Sequence, residues 1–418
     1  MARLGRRGFL AASVLAAPAV SASATVRREQ HNDVRTGADL LAAQGWHRLA
    51  GRRVAVLTNP TGLLRDLRHI VDDMHGSGNI NIVAVFGPEH GFRGTAQAGG
   101  SEGDHIDPRT GIPVYDAYGA SADKLAAMFR KAGAQALVFD IADVGARFYT
   151  YIWTMYTAMR AAAATDTAFV VLDRPNPLGG RAAGPQLDPA QASGVGLKPV
   201  VQQHGMTVGE LAKLFDAEFL PGDTGKRLPS LEVVPAAGWR RSQLFAETGL
   251  QWVPPSPNMP TPQTAMVYPG TCLFEGTSFS EGRGTTRPFE TIGAPGVDWR
   301  WADDLNAMGL PGVRFREAYF VPTFSKHAKQ TCGGVQIHIE QPESVDPIRI
   351  GVAMLVTAKR RYPQVFSWRQ DNWVDKLSGS DRLRRMVDRG AGVDEIVGAW
   401  QAELAAFRRQ RGPYLLYR

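Results

Sequence analysis

Cysteine is scarce in this chain: Cys272 and Cys332 are the only two in 418 residues. That excludes a disulfide scaffold and any zinc site built from cysteines alone. Beyond the first two dozen residues there is also no apolar run near the roughly 20 residues a membrane helix needs, so no membrane anchor is expected. Charge of one sign is not in large excess. The formal net charge is +7, and basic residues are scattered apart from short runs such as Arg382-Leu383-Arg384-Arg385, a poor footprint for nucleic acid. No G-x-G-x-x-G follows the first strand-like segment and no Walker-type loop is present, which disfavours nucleotides. Neither a G-x-S-x-G elbow nor an H-E-x-x-H pair occurs, and His69, His75, His90, His105, His204 and His327 are dispersed. Serine-nucleophile chemistry and a metal site are therefore weak readings, and no cofactor is expected. The remaining composition, 44% hydrophobic and 21% charged, is that of a globular chain long enough for two domains.

The N-terminus reads as an address. Arg6-Arg7-Gly8-Phe9-Leu10, an apolar stretch to Val20 and Ala22-Ser23-Ala24 are the three parts of an export signal, of twin-arginine type. Residues 1–24 are expected to leave, giving an exported, periplasmic or extracellular protein. Loss of Arg3, Arg6 and Arg7 lowers the formal charge to +4. An oxidising compartment leaves a Cys272–Cys332 bridge and two buried thiols both open.

Short β-rich runs alternate with helical stretches through residue 175. Val54–Leu57, Ile80–Phe86, Ala136–Phe139 and Phe169–Leu172 are candidate strands. Helices are expected near 37–49, 65–76, 121–132 and 152–164, with Ser121 as an N-cap. Near-continuous apolar strands joined by helices imply a parallel sheet covered on both faces. Asn59, Glu89, His90, Asp140 and Arg174 each fall just past a strand's carboxyl end, where open parallel sheets bind ligands. The second half changes character. Thr207-Val208-Gly209-Glu210 has capping-box spacing and opens a helix to about Phe219; Leu231–Val234 and Val335–Ile339 read as strands and Ile348–Arg361 as a helix. A boundary falls near 195–205. The fold class is α/β: a Rossmann-like parallel sheet over 25–200, then a smaller α+β domain over 201–418, with a cleft between them.

Three segments carry candidate chemistry. Gly87-Pro88-Glu89-His90-Gly91-Phe92-Arg93-Gly94 sets a carboxylate beside His90 and Arg93 in a tight loop, where neighbouring charge tunes acidity. Glu275-Gly276-Thr277-Ser278-Phe279-Ser280-Glu281-Gly282-Arg283 holds two acids. If extended, they lie ~20 Å apart at 3.3 Å per residue, against the about 5–9.5 Å that glycosidase carboxyl pairs need. They could flank one bond only if the glycines fold the segment back, so Glu89 paired with Glu281 or Glu275 fits a cleft better. Asp140-Ile141-Ala142-Asp143-Val144-Gly145-Ala146-Arg147-Phe148-Tyr149-Thr150-Tyr151 supplies acids, a guanidinium to bind a carboxylate and rings to stack on a sugar. Internal pairing of Asp143 with Arg147, and of Asp173 with Arg174, is the plain alternative.

Together with Thr58-Asn59-Pro60-Thr61-Gly62, Asp173-Arg174-Pro175-Asn176-Pro177, His204-Gly205-Met206-Thr207, Pro255-Ser256-Pro257-Asn258-Met259-Pro260, Phe324-Ser325-Lys326 and Cys332-Gly333-Gly334, these blocks resemble, in order, the NamZ-type exo-β-N-acetylmuramidases. The likeness runs from about Gly37 to the C-terminus. It implies a glycosidase that releases terminal N-acetylmuramic acid from the non-reducing ends of peptidoglycan fragments (muropeptides), on a Rossmann-like domain joined to a smaller one. By this resemblance Glu89 is the catalytic acid, and Glu281, or Glu275 behind it, the second acidic residue. Substrate contacts are expected from Asn59, His90, Arg93, Asp140, Asp143, Arg147, Tyr149, Tyr151, Arg174, Asn176, His204, Asn258 and Arg283. Where the family often carries Gln and Arg this chain has Ala142 and Gln203, so carboxylate binding is expected from Arg147, Arg174 or Arg283. The oxocarbenium-like centre would be met by Glu281 or by the substrate's own acetamido group. The competing classes are a muropeptide-binding protein without turnover and a metal-dependent envelope hydrolase.

Overall fold

A computed structural model describes residues 33–418; the expected signal at 1–24 lies outside the described residues. Six strands build most of the first sheet: β1 (Arg53–Thr58), β2 (Asn81–Gly87), β3 (His105–Ile106), β4 (Pro113–Asp116), β5 (Ala136–Asp140) and β6 (Ala168–Leu172). The hairpin strands β7 (Ala183–Gln186) and β8 (Val201–Gln203) stand apart, and β9 (Leu231–Val234) completes seven strands in the order β3-β4-β2-β1-β5-β6-β9. All pairings are parallel except β3 with β4. The sheet's last strand thus comes from beyond residue 205.

Strand residues alternate between two apolar layers. Val54, Val56, Val85, Val138 and Val170 face α1 (Gly37–Ala43) and α2 (Ile70–Ser77). Ala55, Leu57, Phe86, Leu137, Phe139 and Phe169 face α3 (Ala122–Ala132) and α4 (Tyr151–Thr165). Burial on both faces is why these strands read as unbroken apolar runs. Local caps act as expected: Ser121 accepts from Lys124 N, and Thr207 and Glu210 form a reciprocal capping box. The helix expected at 65–76 starts only at Ile70, with His69 accepting from Val71 N at its N-cap. Leu63 and His69 bridge across the intervening turn instead.

Beyond the sheet, α5 (Val208–Leu214) runs through a π turn into α6 (Leu220–Thr224). α7 (Pro262–Thr271) packs on α9 (Pro347–Arg361), which also packs on α8 (Arg300–Ala307). A small antiparallel sheet, β10 (Thr291–Ala294), β12 (Cys332–Ile339) and β11 (Val313–Phe320), in that order, belongs to the C-terminal part. One apolar cluster runs from the α4 face of the first sheet into this part, so the two share a core. Cys272 and Cys332 are both buried free thiols. Among the described residues no helix is long and apolar enough to cross a membrane.

Candidate active site

The loop after β2 owes its shape to a carboxylate that the sequence did not single out. Glu102 accepts from the backbone N–H of Phe92 (2.9 Å), Arg93 (3.2 Å) and Thr95 (3.0 Å). Its side chain occupies the space a Cβ on Gly91 would need, and Gly91 has φ +87°, so only glycine fits there. His90 is buried, also at positive φ (72°), and its Nδ1 lies 2.9 Å from the Ala96 carbonyl. Since a carbonyl only accepts, Nδ1 carries the proton. Held in this way, Glu89 is half-buried; Gly99 N donates to Oε1 (2.8 Å) and Thr150 Oγ1 to Oε2 (3.3 Å).

A row of rings follows β5. Tyr149 and Tyr151 meet edge to face at 5.3 Å, Tyr149 meets Tyr268 at 5.7 Å, and Tyr268 meets Phe289 at 4.7 Å. The Tyr151 hydroxyl donates to the Pro255 carbonyl at 2.6 Å. The facing wall comes from the Cys272–Gly276 turn after α7 and the segment that follows. Here the chain folds back, with Gly282 at φ +77° pressed on the Thr291 carbonyl. Arg283 consequently reaches both acids: Nη2 to Glu275 Oε1 (2.7 Å) and Nε to Glu281 Oε1 (3.2 Å). The extended spacing of ~20 Å considered for these two residues does not hold, because one guanidinium bridges them. Burial opposes the charge on Arg283, but Glu275 and Glu281 outweigh it and raise its pKa. Glu281 is also paired with Lys326 Nζ (3.0 Å), and its side chain is only 4% exposed against 19% for Glu275.

These walls line a hollow of about 150 Å³, bordered among others by Glu89, Tyr149, Tyr151, Asn258, Glu275 and Arg283. His90 also borders it, as do Thr150, Ser256, Tyr268 and Phe289, which sequence reasoning missed. Among the described residues the Tyr149 hydroxyl and the Asn258 amide nitrogen are buried with no hydrogen-bond partner. A ring-walled hollow that holds two carboxylates and a guanidinium is suited to a polar, ring-shaped ligand.

The other expected site residues lie elsewhere. Arg147 is fully buried and donates to the carbonyls of Pro185 (3.2 Å), Val200 (3.0 Å) and Leu377 (2.6 Å); burial lowers its pKa to about 9. It cannot grip a substrate, and it does not pair with Asp143. Arg93 turns away to Asp72 (2.8 Å) and Asp107 (2.9 Å). Asp140 is buried against Arg174, which also donates to the Leu63 carbonyl (2.8 Å); Arg174 gives Asp173 only its backbone N–H (3.0 Å), and Asp173 accepts in addition from Thr207 Oγ1 (2.7 Å), Gly209 N (2.8 Å) and the Tyr417 hydroxyl (2.5 Å). Asp143 pairs with His204 (3.0 Å). Asn59 accepts from Thr61 N (2.9 Å) and Oγ1 (2.6 Å), and Asn176 donates to the Met206 carbonyl (2.9 Å). Glu281 sits behind Arg283, outside the lining. These groups pair mostly with one another and with backbone, which stiffens the strand-end loops, while Asn59 Nδ2, Asp143 Oδ1 and Arg147 Nε are buried with no partner among the described residues. Among the described residues no three His, Cys, Asp or Glu side chains are grouped as a metal site requires.

Comparison with known proteins adds an independent line. A family profile described as "Exo-beta-N-acetylmuramidase NamZ, N-terminal" matches residues 54–263, and its C-terminal counterpart matches 266–417. The chain is 42% identical over 413 residues to "Peptidoglycan beta-N-acetylmuramidase NamZ" of Bacillus subtilis (strain 168), covering 98% of each. Two crystal structures of DUF1343 family proteins from Bacteroides fragilis NCTC 9343 are similar. The first has TM-score 0.84 at 34% identity and the second 0.73 at 32%; each match covers 92% of this chain and 99% of that protein.

Proposed function

The chain belongs to the NamZ family of exo-β-N-acetylmuramidases, which are glycoside hydrolases, and from that premise we propose that it removes terminal β-linked N-acetylmuramic acid from the non-reducing ends of peptidoglycan fragments, with Glu89 as general acid. One observation carries the assignment: Glu89 and Glu275 border the same ring-walled hollow together with Arg283. Cleaving the glycosidic bond requires a proton on the leaving oxygen and support for positive charge at the anomeric carbon. Glu89, oriented by Gly99 N and Thr150, delivers the proton. Positive charge is met from the Glu275 side or by the substrate's acetamido oxygen. Arg283 spends Nη2 and Nε on the two glutamates, leaving Nη1 out of both pairs; we assign it the lactyl carboxylate that separates muramic acid from glucosamine. Tyr149 and Asn258 line the space that the sugar fills.

The Rossmann-like description of the first sheet and a cleft between the two lobes belong to this proposal, as does export through a twin-arginine signal at residues 1–24. Release of chromophore from a chromogenic N-acetylmuramic acid glycoside tests the catalytic assignment. Glu89→Gln is expected to lower kcat by about 10²–10⁴-fold with unchanged thermal unfolding. Near-normal turnover would remove Glu89 from the role, and chromatography of muropeptide digests would show whether the sugar leaves from the non-reducing end.

A further inference from the structure

The loop from β11 to β12, residues 321–331, backs the wall of the hollow that carries Glu275 and Arg283. Ser325 (φ 68°), His327 (φ 55°) and Lys329 (φ 64°) in this loop all hold left-handed backbone. Side chains resist that conformation, so it persists only where the surroundings fix it. The loop is fastened to one segment, residues 274–284. Thr323 donates twice to the Gly284 carbonyl, from N and from Oγ1 (both 3.0 Å). His327 Nε2 lies 2.7 Å from the Ser278 carbonyl, which only accepts, so that nitrogen carries the proton. Between these two anchors stands Lys326.

Lys326 is half-buried, and its ammonium serves four oxygens: the carbonyls of Phe274 (2.8 Å), Glu275 (3.3 Å) and Phe279 (3.0 Å), and Glu281 Oε2 (3.0 Å). It is not part of the hollow's lining, so any effect on a sugar there passes through its partners. Glu281 is the partner that matters. Its side chain is 4% exposed, and its two oxygens are divided, Oε2 to Lys326 and Oε1 to Arg283 Nε (3.2 Å). Arg283 in turn gives Nη2 to Glu275 (2.7 Å). Two acids and two bases therefore balance along this wall. Without the ammonium, Arg283 would be the only charged partner of Glu281 among the described residues. Attraction between charges is stronger where water is excluded. The guanidinium would then be drawn toward Glu281, away from Glu275 and the hollow.

We propose that Lys326 is a positioning residue: its charge occupies one oxygen of Glu281 and so leaves the Arg283 guanidinium to Glu275 and to the carboxylate of the substrate. The inference rests on the functional reading above, in which Arg283 and Glu275 face the sugar. Three backbone carbonyls hold the ammonium in place for this task.

Kinetics of the full chain on a chromogenic N-acetylmuramic acid glycoside test it, with KM and kcat read separately. Lys326→Met is expected to raise KM about tenfold or more, as a charged contact to the substrate is lost. Misfolding of a fraction of the enzyme would instead lower apparent kcat and leave KM alone. Lys326→Arg keeps the charge and should keep KM near that of wild type. The double variant Glu281→Gln/Lys326→Met removes both members of the buried pair and should fold. Its KM should return toward the wild-type value although Lys326 is gone, a recovery that a purely structural lysine does not give. An unchanged KM in folded Lys326→Met, or a KM as high in the double variant as in Lys326→Met, would overturn the role. Should Lys326→Met not fold, the double variant decides alone: a KM near that of wild type supports the role, and one raised about tenfold overturns it. A wild type that releases no chromophore would overturn the functional reading and this role with it, whereas the other outcomes leave that reading standing.

Discussion

Replacing Arg283 with Met separates two roles that the structure gives one side chain. The guanidinium holds Glu275 at 2.7 Å and Glu281 at 3.2 Å, and packs 5.1 Å over the Phe289 ring. Glu281 keeps Lys326 at 3.0 Å after the change, so the structural cost should be about 1–3 kcal/mol, below that of stranding a fully unpaired buried charge. A charge-assisted bond to a substrate carboxylate is worth about 1.5–3 kcal/mol. At 1.36 kcal/mol per tenfold this becomes a loss of about 10- to 150-fold in kcat/KM. The loss should fall on the substrate that has the carboxylate. The assay compares chromogenic glycosides of N-acetylmuramic acid and of N-acetylglucosamine, which lacks the lactyl group. The ratio of their kcat/KM values should fall by that factor in Arg283→Met, with folding checked by denaturant titration. An unchanged ratio in a folded variant would refute carboxylate recognition, and an equal loss on both substrates would mean that Arg283 acts only by positioning Glu275.

Arg147→Met should lower stability by about 3 kcal/mol or more, because three buried carbonyls lose their donor, while KM for the muramic glycoside stays unchanged; a raised KM would return Arg147 to the substrate. Asp173 is buried, which pushes its pKa up to about 6, against hydrogen bonds from Tyr417, Gly209 and Thr207 that pull the other way. An acid raised from its ordinary value of 3.8 takes up protons on folding, so its contribution favours the folded chain below about pH 4 and is lost as pH rises to 6. The stability difference between wild type and Asp173→Asn should therefore shift by roughly 3 kcal/mol between pH 4 and 7, and urea titrations that show a constant difference would contradict this. Ellman's reagent should find no reactive thiol in the native protein and two after denaturation without reductant, as both cysteines are buried and free; none after denaturation would mean a bridge.

The strands and the helix caps were legible because their causes are local. Val54–Leu57 and Ala136–Phe139 are apolar on both faces since both faces are covered, and Ser121 and Thr207 cap from three residues away. The Glu89 loop was legible for the same reason: its flanking glycines mark a tight turn. The polar residues past β5 and β6 were misread because nothing nearby tells whether an acid faces a ligand or a partner. Asp143 meets His204 across 61 positions and Asp140 meets Arg174 across 34. Tyr268, inside an apolar helix, carried no local sign of its place in the hollow.

By itself the order of residues determined where elements begin and end, which runs are buried and which loops turn tightly, since those depend on neighbours a few positions away. The tertiary structure alone decided which charges neutralise one another and which remain open to a substrate. Folding brought Arg283 between Glu275 and Glu281, closed Arg147 onto three carbonyls and buried Asp143 against His204. The reason is that electrostatic pairing depends on distance in space, and a chain that reverses at every loop makes that distance unreadable from separation along it.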